Sequence, residues 1–131
     1  MAISIASRKA KGKDLQNLVA KKISELLNVP YGQDEEIQSR QMGGAGVDIA
    51  LSKEIRKLFP FSIEVKNQQQ LNLLKTWQQA CNNCYEDTNP VIVYKKTGKT
   101  KNERIPPLVI IELDVFFNLL GEIINDNYRN K

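Results

Sequence analysis

The sequence contains no histidine. That removes imidazole metal ligands, histidine general bases and the nuclease chemistries built on them. Cysteine is scarce: Cys81 and Cys84 form a single CxxC. A zinc site needs a full set of ligands, and this pair has neither a second pair nor an imidazole to complete one. A redox CxxC opens a helix after a strand, whereas this pair falls late in a helical pattern. It reads as two small apolar residues one turn apart on a buried face. No apolar run approaches the length of a membrane span. The opening "MAISIASRKAKGK" does not read as a signal peptide, because its basic part follows a short apolar part. The expectation is a cytoplasmic protein with no membrane partner and no small organic cofactor. A large net charge is also missing: 19 basic and 15 acidic residues leave +4.

What is present is ordinary in bulk and informative in detail. A chain of 131 residues, 41% hydrophobic, is expected to form one domain with a core that needs no staples. Its basic residues fall in two clusters, which suits a phosphate backbone as well as it suits solvated segments. Arg8, Lys9, Lys11 and Lys13 lie at the start, with residues 1–12 expected as a flexible basic arm. Lys95, Lys96, Lys99, Lys101 and Arg104 lie near the end.

The pattern "KDLQNLVAKKISELLN" predicts an amphipathic helix over 13–28, with Leu15, Leu18, Val19, Ile23, Leu26 and Leu27 on its apolar stripe. A short strand follows around Glu36 to Gln41. Gly43, Gly44 and Gly46 then make a turn. "VDIALS" reads as a second strand. Lys53 to Leu58 make a short helical or irregular excursion, and "FSIEVKN" is a third strand. A helix is expected from Gln69 to about Tyr85, with Leu71, Leu74, Trp77, Cys81 and Cys84 inward. Strands at Val91–Lys96 and "LVIIEL", then a helix capped by Asp114 and running to about Asn125, complete the order. That order, α-β-β-β-α-β-β-α, predicts a mixed α/β fold with one central sheet flanked by helices.

The third strand poses a chemical question. Glu64 and Lys66 share one face, opposite Phe61, Ile63 and Val65. A structural salt bridge explains them. So does an active site, if Asp48 of the second strand lies across from them. Adjacent strands are about 4.8 Å apart, so two carboxylates would converge. Convergent carboxylates repel unless a proton or cation joins them. One or two carboxylates, a carbonyl (here that of Val65) and waters are how Mg²⁺ is usually held. Lys66 would then stand beside the attacked phosphate and the nucleophilic water.

At this point "GVDIALS" and "FPFSIEVKNQ" resemble the core of the PD-(D/E)XK nuclease superfamily. The nearest likeness is to small Holliday junction resolvase-like endonucleases, including short phage-encoded ones. "RKAKGKDLQ", "SRQMGGAGVDI", "NQQQLNLLKTWQQA" and "PPLVIIELDVFFNLL" are similar to their flanking elements. The resemblance implies a restriction-endonuclease-like core. It implies Mg²⁺-dependent hydrolysis of DNA phosphodiesters, with Mn²⁺ substituting, in branched or structured DNA. It also implies a homodimer whose contacts involve Val115 to Ile124. Asp48, Glu64 and Lys66 match the family motif. Gln16 stands where the family carries a metal-binding Glu, and Glu36 is the nearest candidate for a replacement acid.

Several further residues carry expectations. Ser39 and Arg40 would hold a phosphate, or form a surface pair. Gly43 and Gly44 would let a DNA backbone approach, or simply make a hairpin turn. Gln68 would contact the scissile phosphate or a water. Gln79 sits where related nucleases often use a glutamine. Trp77 reads as core. Two alternatives to the resolvase-like reading remain open: a sequence-specific endonuclease of homing or restriction type, and a non-catalytic nucleic-acid-binding module of the same fold.

Overall fold

The computed structural model describes residues 5–40, 46–98 and 105–129. Its first helix, α1 (Ile5–Leu27), begins well before Lys13. Residues expected as a flexible arm are therefore its first turns. The misplaced start has a physical cause. Glycine inside a helix costs about 1 kcal/mol, so Gly12 reads as a boundary, yet here it is a buried helical residue. Leu15, Val19 and Ile23 pack inward at helical spacing, with Ala20 fully buried between them. The helix stops where Asn28 takes a left-handed conformation (φ 55°) and the Val29 amide donates to the Ser24 carbonyl at 3.1 Å.

A short antiparallel hairpin follows, β1 (Ile37–Ser39) and β2 (Ile49–Leu51), with Ser39 opposite Ile49. Ser52 ends β2 and caps α2 (Lys53–Leu58), accepting from the Ile55 amide at 3.2 Å. The second sheet is built on β3 (Phe61–Gln68). Its neighbour β4 (Asn89–Lys96) runs parallel, and β5 (Leu108–Ile110) runs antiparallel to β4. A parallel pair needs a crossover, and α3 (Leu73–Asn83) supplies it. The last helix, α4 (Leu113–Arg129), has Asp114 inside its first turn rather than at its cap.

The fold is thus mixed α/β, with four helices and a three-stranded mixed sheet among the described residues. The single sheet expected from the sequence is instead two. β2 is only three residues long before Ser52 turns the chain into α2. Its link to β3 is one backbone hydrogen bond, from the Asp48 amide to the Ile63 carbonyl at 3.3 Å. The core lies between α1 and the sheets, where Ile37, Ile49, Ile63, Val65, Val91 and Val93 meet Leu15, Val19 and Ile23.

α3 departs from its expected orientation. Leu74 is 81% exposed and Cys81 is exposed, while Thr76 and Ala80 are buried. Cys84 lies beyond the helix as its cap, half-buried. The reason is the surface beneath. β3 offers α3 the small and polar side chains of Ser62 and Glu64, so small and polar residues face inward. Ser62 shares a hydrogen bond with Thr88 and accepts from the Tyr85 amide at 3.0 Å. Trp77 is half-buried. No helix among the described residues is long and apolar enough to cross a membrane.

One side chain ties the short α2 to its surroundings. Arg56 donates through Nε to both carboxylate oxygens of Asp87 at 2.9 and 3.1 Å. It donates through Nη1 to the Leu51 carbonyl at 2.7 Å, and its guanidinium carbon lies 4.2 Å from the centroid of the Tyr85 ring. Charge-assisted bonds and a half-shielded cation–π contact each contribute on the order of 1 kcal/mol. Arg56→Ala is expected to destabilise the fold by about 2–3 kcal/mol, read as a lowered midpoint in urea unfolding with little change in slope.

Candidate active site

Positioning begins with backbone. Gly46 has φ +95°, a conformation L side chains avoid, and it turns the chain into Val47 and Asp48. Val47 is buried and anchors the turn. The Arg40 amide donates to the Asp48 carbonyl at 2.8 Å, while the Asp48 amide donates to Ile63. Asp48 is thereby held on both sides of its backbone. Its carboxylate Oδ2 accepts from the Val65 amide at 2.6 Å.

That bond fixes more than the aspartate. Within a strand, the N–H and C=O of one residue point to the same edge and alternate with those of its neighbours. The Val65 amide faces Asp48, away from β4, so the Val65 carbonyl faces that edge too. The parity agrees elsewhere: Ile63 meets Asp48, while Gln68 accepts from the Thr97 amide on the β4 side.

Glu64 is 3% exposed and lies on the face covered by α3. Lys66 sits beside it, with Nζ 3.7 Å from Oε1, an ion pair rather than a close hydrogen bond. The side chain of Lys66 keeps 22% of its surface in solvent, so its ammonium stands at the rim. Both carboxyls titrate above their ordinary range. For Asp48 the chief cause is burial, opposed by the Val65 amide and the charge of Lys66. For Glu64 it is burial and then the negative charge of Asp48, opposed by Lys66 and by a hydrogen bond with Asn83. That the charge of Asp48 raises the pKa of Glu64 means that the two carboxylates share one electrostatic neighbourhood.

Asn83 escaped the sequence reading. It lies at the end of α3, in line with Thr76 and Ala80, and its place beside Glu64 follows from the rotation of α3. A buried polar spine at spacings of three and four was the available signal, but the stronger leucine pattern masked it.

Gln16 is 1% exposed and belongs to the inner face of α1, one turn before Ala20. Its Oε1 accepts from Ser39 Oγ at 3.0 Å, and Ser39 Oγ accepts from Lys13 Nζ at 3.0 Å. Lys13 also donates to the Arg40 carbonyl at 3.0 Å. This chain joins α1 to the end of β1, the strand that pairs with β2 just after Asp48. Lys13 and Ser39 therefore serve the wall of the site, and Lys13 does not offer its ammonium to bulk solvent. Glu36 does not replace the missing acid: it is exposed and accepts from Ser52 Oγ at 3.0 Å.

The remaining candidates are spread out. Gln68 and Gln79 are exposed, and the Gln68 carbonyl accepts from the Tyr94 hydroxyl at 3.0 Å. Arg40 is exposed, with its guanidinium close to Gly46. Lys11, Lys95 and Lys96 line a separate cavity at the end of β4. Arg8 and Lys9 lie in the first turns of α1, and their side chains fall outside what is described. Gly43, Gly44, Lys99 and Lys101 lie outside the described residues.

Among the described residues, no group of three or more His, Cys, Asp or Glu side chains could enclose a metal. Two carboxylates and one carbonyl, all hard oxygen donors, nevertheless fit a cation such as Mg²⁺, which keeps several waters. A third acid at position 16 gives a test of this neighbourhood. Gln16→Glu keeps the acceptor for Ser39 and adds a buried charge. It is expected to lower stability by about 1–3 kcal/mol in EDTA. Millimolar Mn²⁺ is expected to restore most of that loss and to raise the melting temperature more than in the parent chain, as read by calorimetry.

Comparison with known proteins adds no relative: no family model, no curated protein and no solved structure matches the chain.

Proposed function

We propose that the chain is a metal-dependent endodeoxyribonuclease of PD-(D/E)XK type, acting on branched or structured DNA. The observation that carries the reading is the seating of Asp48 on the Val65 amide. It holds a second, half-buried carboxylate near enough to Glu64 to raise its pKa, on the edge that the Val65 carbonyl also faces. A structural salt bridge accounts for Glu64 and Lys66, and the Val65 amide gives Asp48 a structural role, but neither calls for a second carboxylate near enough to raise the pKa of buried Glu64. A shared cation does.

In this reading Asp48, Glu64 and the Val65 carbonyl hold Mg²⁺, and Mn²⁺ substitutes. When bound, the ion supplies Lewis acidity and an ionised water at neutral pH. The protein's own share is positioning. Asp48 is fixed by three hydrogen bonds, counting its amide, carbonyl and carboxylate. Glu64 is fixed by Asn83 and Lys66. Lys66 keeps its ammonium at the solvent rim, where it can donate to a phosphate oxygen as negative charge builds there. Gln16 holds the β1 wall in place of the family's acidic ligand, and Gln68 lies at the strand exit. The remaining basic residues supply attraction to the DNA backbone, which sets affinity rather than sequence choice. Paired cuts in a junction call for two sites, and a homodimer supplies them. The apolar residues exposed on α4, Phe116, Phe117, Ile123 and Ile124, support such an interface.

The test is cleavage of four-way-junction, nicked and linear DNA in Mg²⁺, in Mn²⁺ and in EDTA. Symmetric junction cuts that vanish in EDTA are the expected result. Cutting confined to one linear sequence would favour a restriction or homing type of enzyme. Binding without cutting in either metal would overturn the catalytic reading and leave a nucleic-acid-binding module.

A further inference from the structure

The two basic segments of the chain, remote in sequence, meet at one cavity. It measures about 580 Å³ and lies between the early part of α1, the ends of β3 and β4, and the segment leading into β5. Lys11, Lys95 and Lys96 line one part of it; Leu15, Leu18 and Ile105 line another. It is separate from the carboxylate pair. Asn67, which lines it, follows Lys66 directly in β3 and so points to the opposite face of the sheet.

The wall is built rather than accidental. Asn67 Nδ2 donates to the Lys11 carbonyl at 3.3 Å, and Asn67 Oδ1 accepts from the Thr97 hydroxyl at 3.0 Å. One side chain thus clamps α1 to the end of β4 and fixes the spacing of the lysines on either side. Lys95 lies opposite Asn67 in the ladder and shares its face, whereas Lys96 lines the cavity from the strand end with its side chain on the other face. Among the described residues, neither Lys11 nor Lys95 makes an ion pair, and two unpaired ammonium groups in one concavity attract a doubly charged anion. The apolar part is suited to a flat organic body, and Asp14, also in the lining, offers an acceptor for an N–H or O–H donor. The volume is that of a small-ligand site.

We infer that this cavity binds a single nucleotide through its phosphate, with the phosphate at Lys11 and Lys95 and the base and sugar over Leu15, Leu18 and Ile105. The same chemistry is presented by a free nucleoside monophosphate and by the phosphorylated end of a DNA strand. The inference concerns binding alone and does not depend on cleavage.

The experiment uses the full chain in EDTA, so that failure of nuclease activity cannot be confused with failure of the cavity. Fluorescence anisotropy would compare a short single strand bearing a 5′-phosphate with the same strand ending in a 5′-hydroxyl, and dAMP would be the competitor. The phosphorylated strand is expected to bind at least about tenfold tighter, the equivalent of 1.4 kcal/mol. Competition by dAMP assigns the cavity to free nucleotides as well; its absence assigns the cavity to strand ends. Lys95→Ala is expected to abolish the preference for the phosphate. Lys95 is exposed, so the variant keeps its core. Lys21→Ala, which removes an equal charge from an exposed ion pair with Glu25 on α1, is expected to leave the preference intact. Equal binding of both strands without dAMP binding, or equal loss in the two variants, would overturn the inference.

Discussion

Lys66→Ala is expected to lower the rate of metal-dependent DNA cleavage by about 10²–10³-fold, the usual loss when one preorganised donor to a developing charge is removed. Its binding to DNA in EDTA is expected to fall by less than about tenfold, because one of many phosphate contacts is lost. The two readouts separate chemistry from attraction. Lys66 is also the positive charge that lowers the pKa of both Asp48 and Glu64 against the effect of burial. Its removal should therefore raise both carboxyl pKa values further and shift the pH–rate profile upward in pH. A merely structural lysine would not move that profile. Single-turnover cleavage across a pH series in Mg²⁺ would show this. Full activity in the alanine variant would remove Lys66 from the site.

The geometry of the candidate site was legible where its residues share one strand. Alternation placed Glu64 and Lys66 on one face of β3, which needed only the period of a strand. Asp48 was brought beside them by expecting the second and third strands to pair antiparallel, whereas β2 pairs with β1 in a separate sheet from β3. What the sequence could not show is how Asp48 reaches Glu64. No ladder joins β2 to β3; a side chain takes the place of the next backbone acceptor, since Asp48 Oδ2 receives the Val65 amide. Residue patterns carry no mark of a carboxylate standing in for a strand.

Helices were read less well, and for a different reason. Apolar periodicity assumes that the buried face is the apolar one. α1 obeys this at Leu15, Val19 and Ile23 but not at Leu18 and Leu26, which are exposed at the margins of the stripe, nor at Gln16, which lies inside it with Ser39 as its donor. α3 does not obey it at all. Its partner surface holds a buried glutamate, so the inward face is Thr76, Ala80 and Asn83, and Leu74 is left outside. The same polar interior that misled the pattern is what makes the region a candidate site. Local conflict between sequence and structure is expected where function competes with packing.

That conflict gives the second large effect. In the absence of a divalent ion, Asp48 and Glu64 are carboxyls whose folded-state pKa values lie above their unfolded values of 3.8 and 4.5. The folded chain then binds protons more tightly than the unfolded chain. Stability from these groups is fully present below the unfolded pKa values and is lost as pH rises through the folded ones. The parent protein in EDTA should accordingly lose stability from about pH 4 upward through the raised pKa values, against the trend of a salt-bridged carboxylate. Glu64→Gln keeps an acceptor for Asn83 and removes the charge that burial and Asp48 oppose. At pH 8 in EDTA it should stabilise the fold by about 1–2 kcal/mol and flatten the pH dependence. Asp48→Asn should do the same to a smaller degree, since its Oδ can still accept from Val65. Both variants should lose the stabilisation that Mg²⁺ or Mn²⁺ gives the parent, together with cleavage. Calorimetry of the three chains across pH, with and without metal, measures all of this. A Glu64→Gln variant less stable than its parent at pH 8 in EDTA would mean that Glu64 is held by a net favourable salt bridge with Lys66, and that its carboxylate is there for packing rather than for a cation.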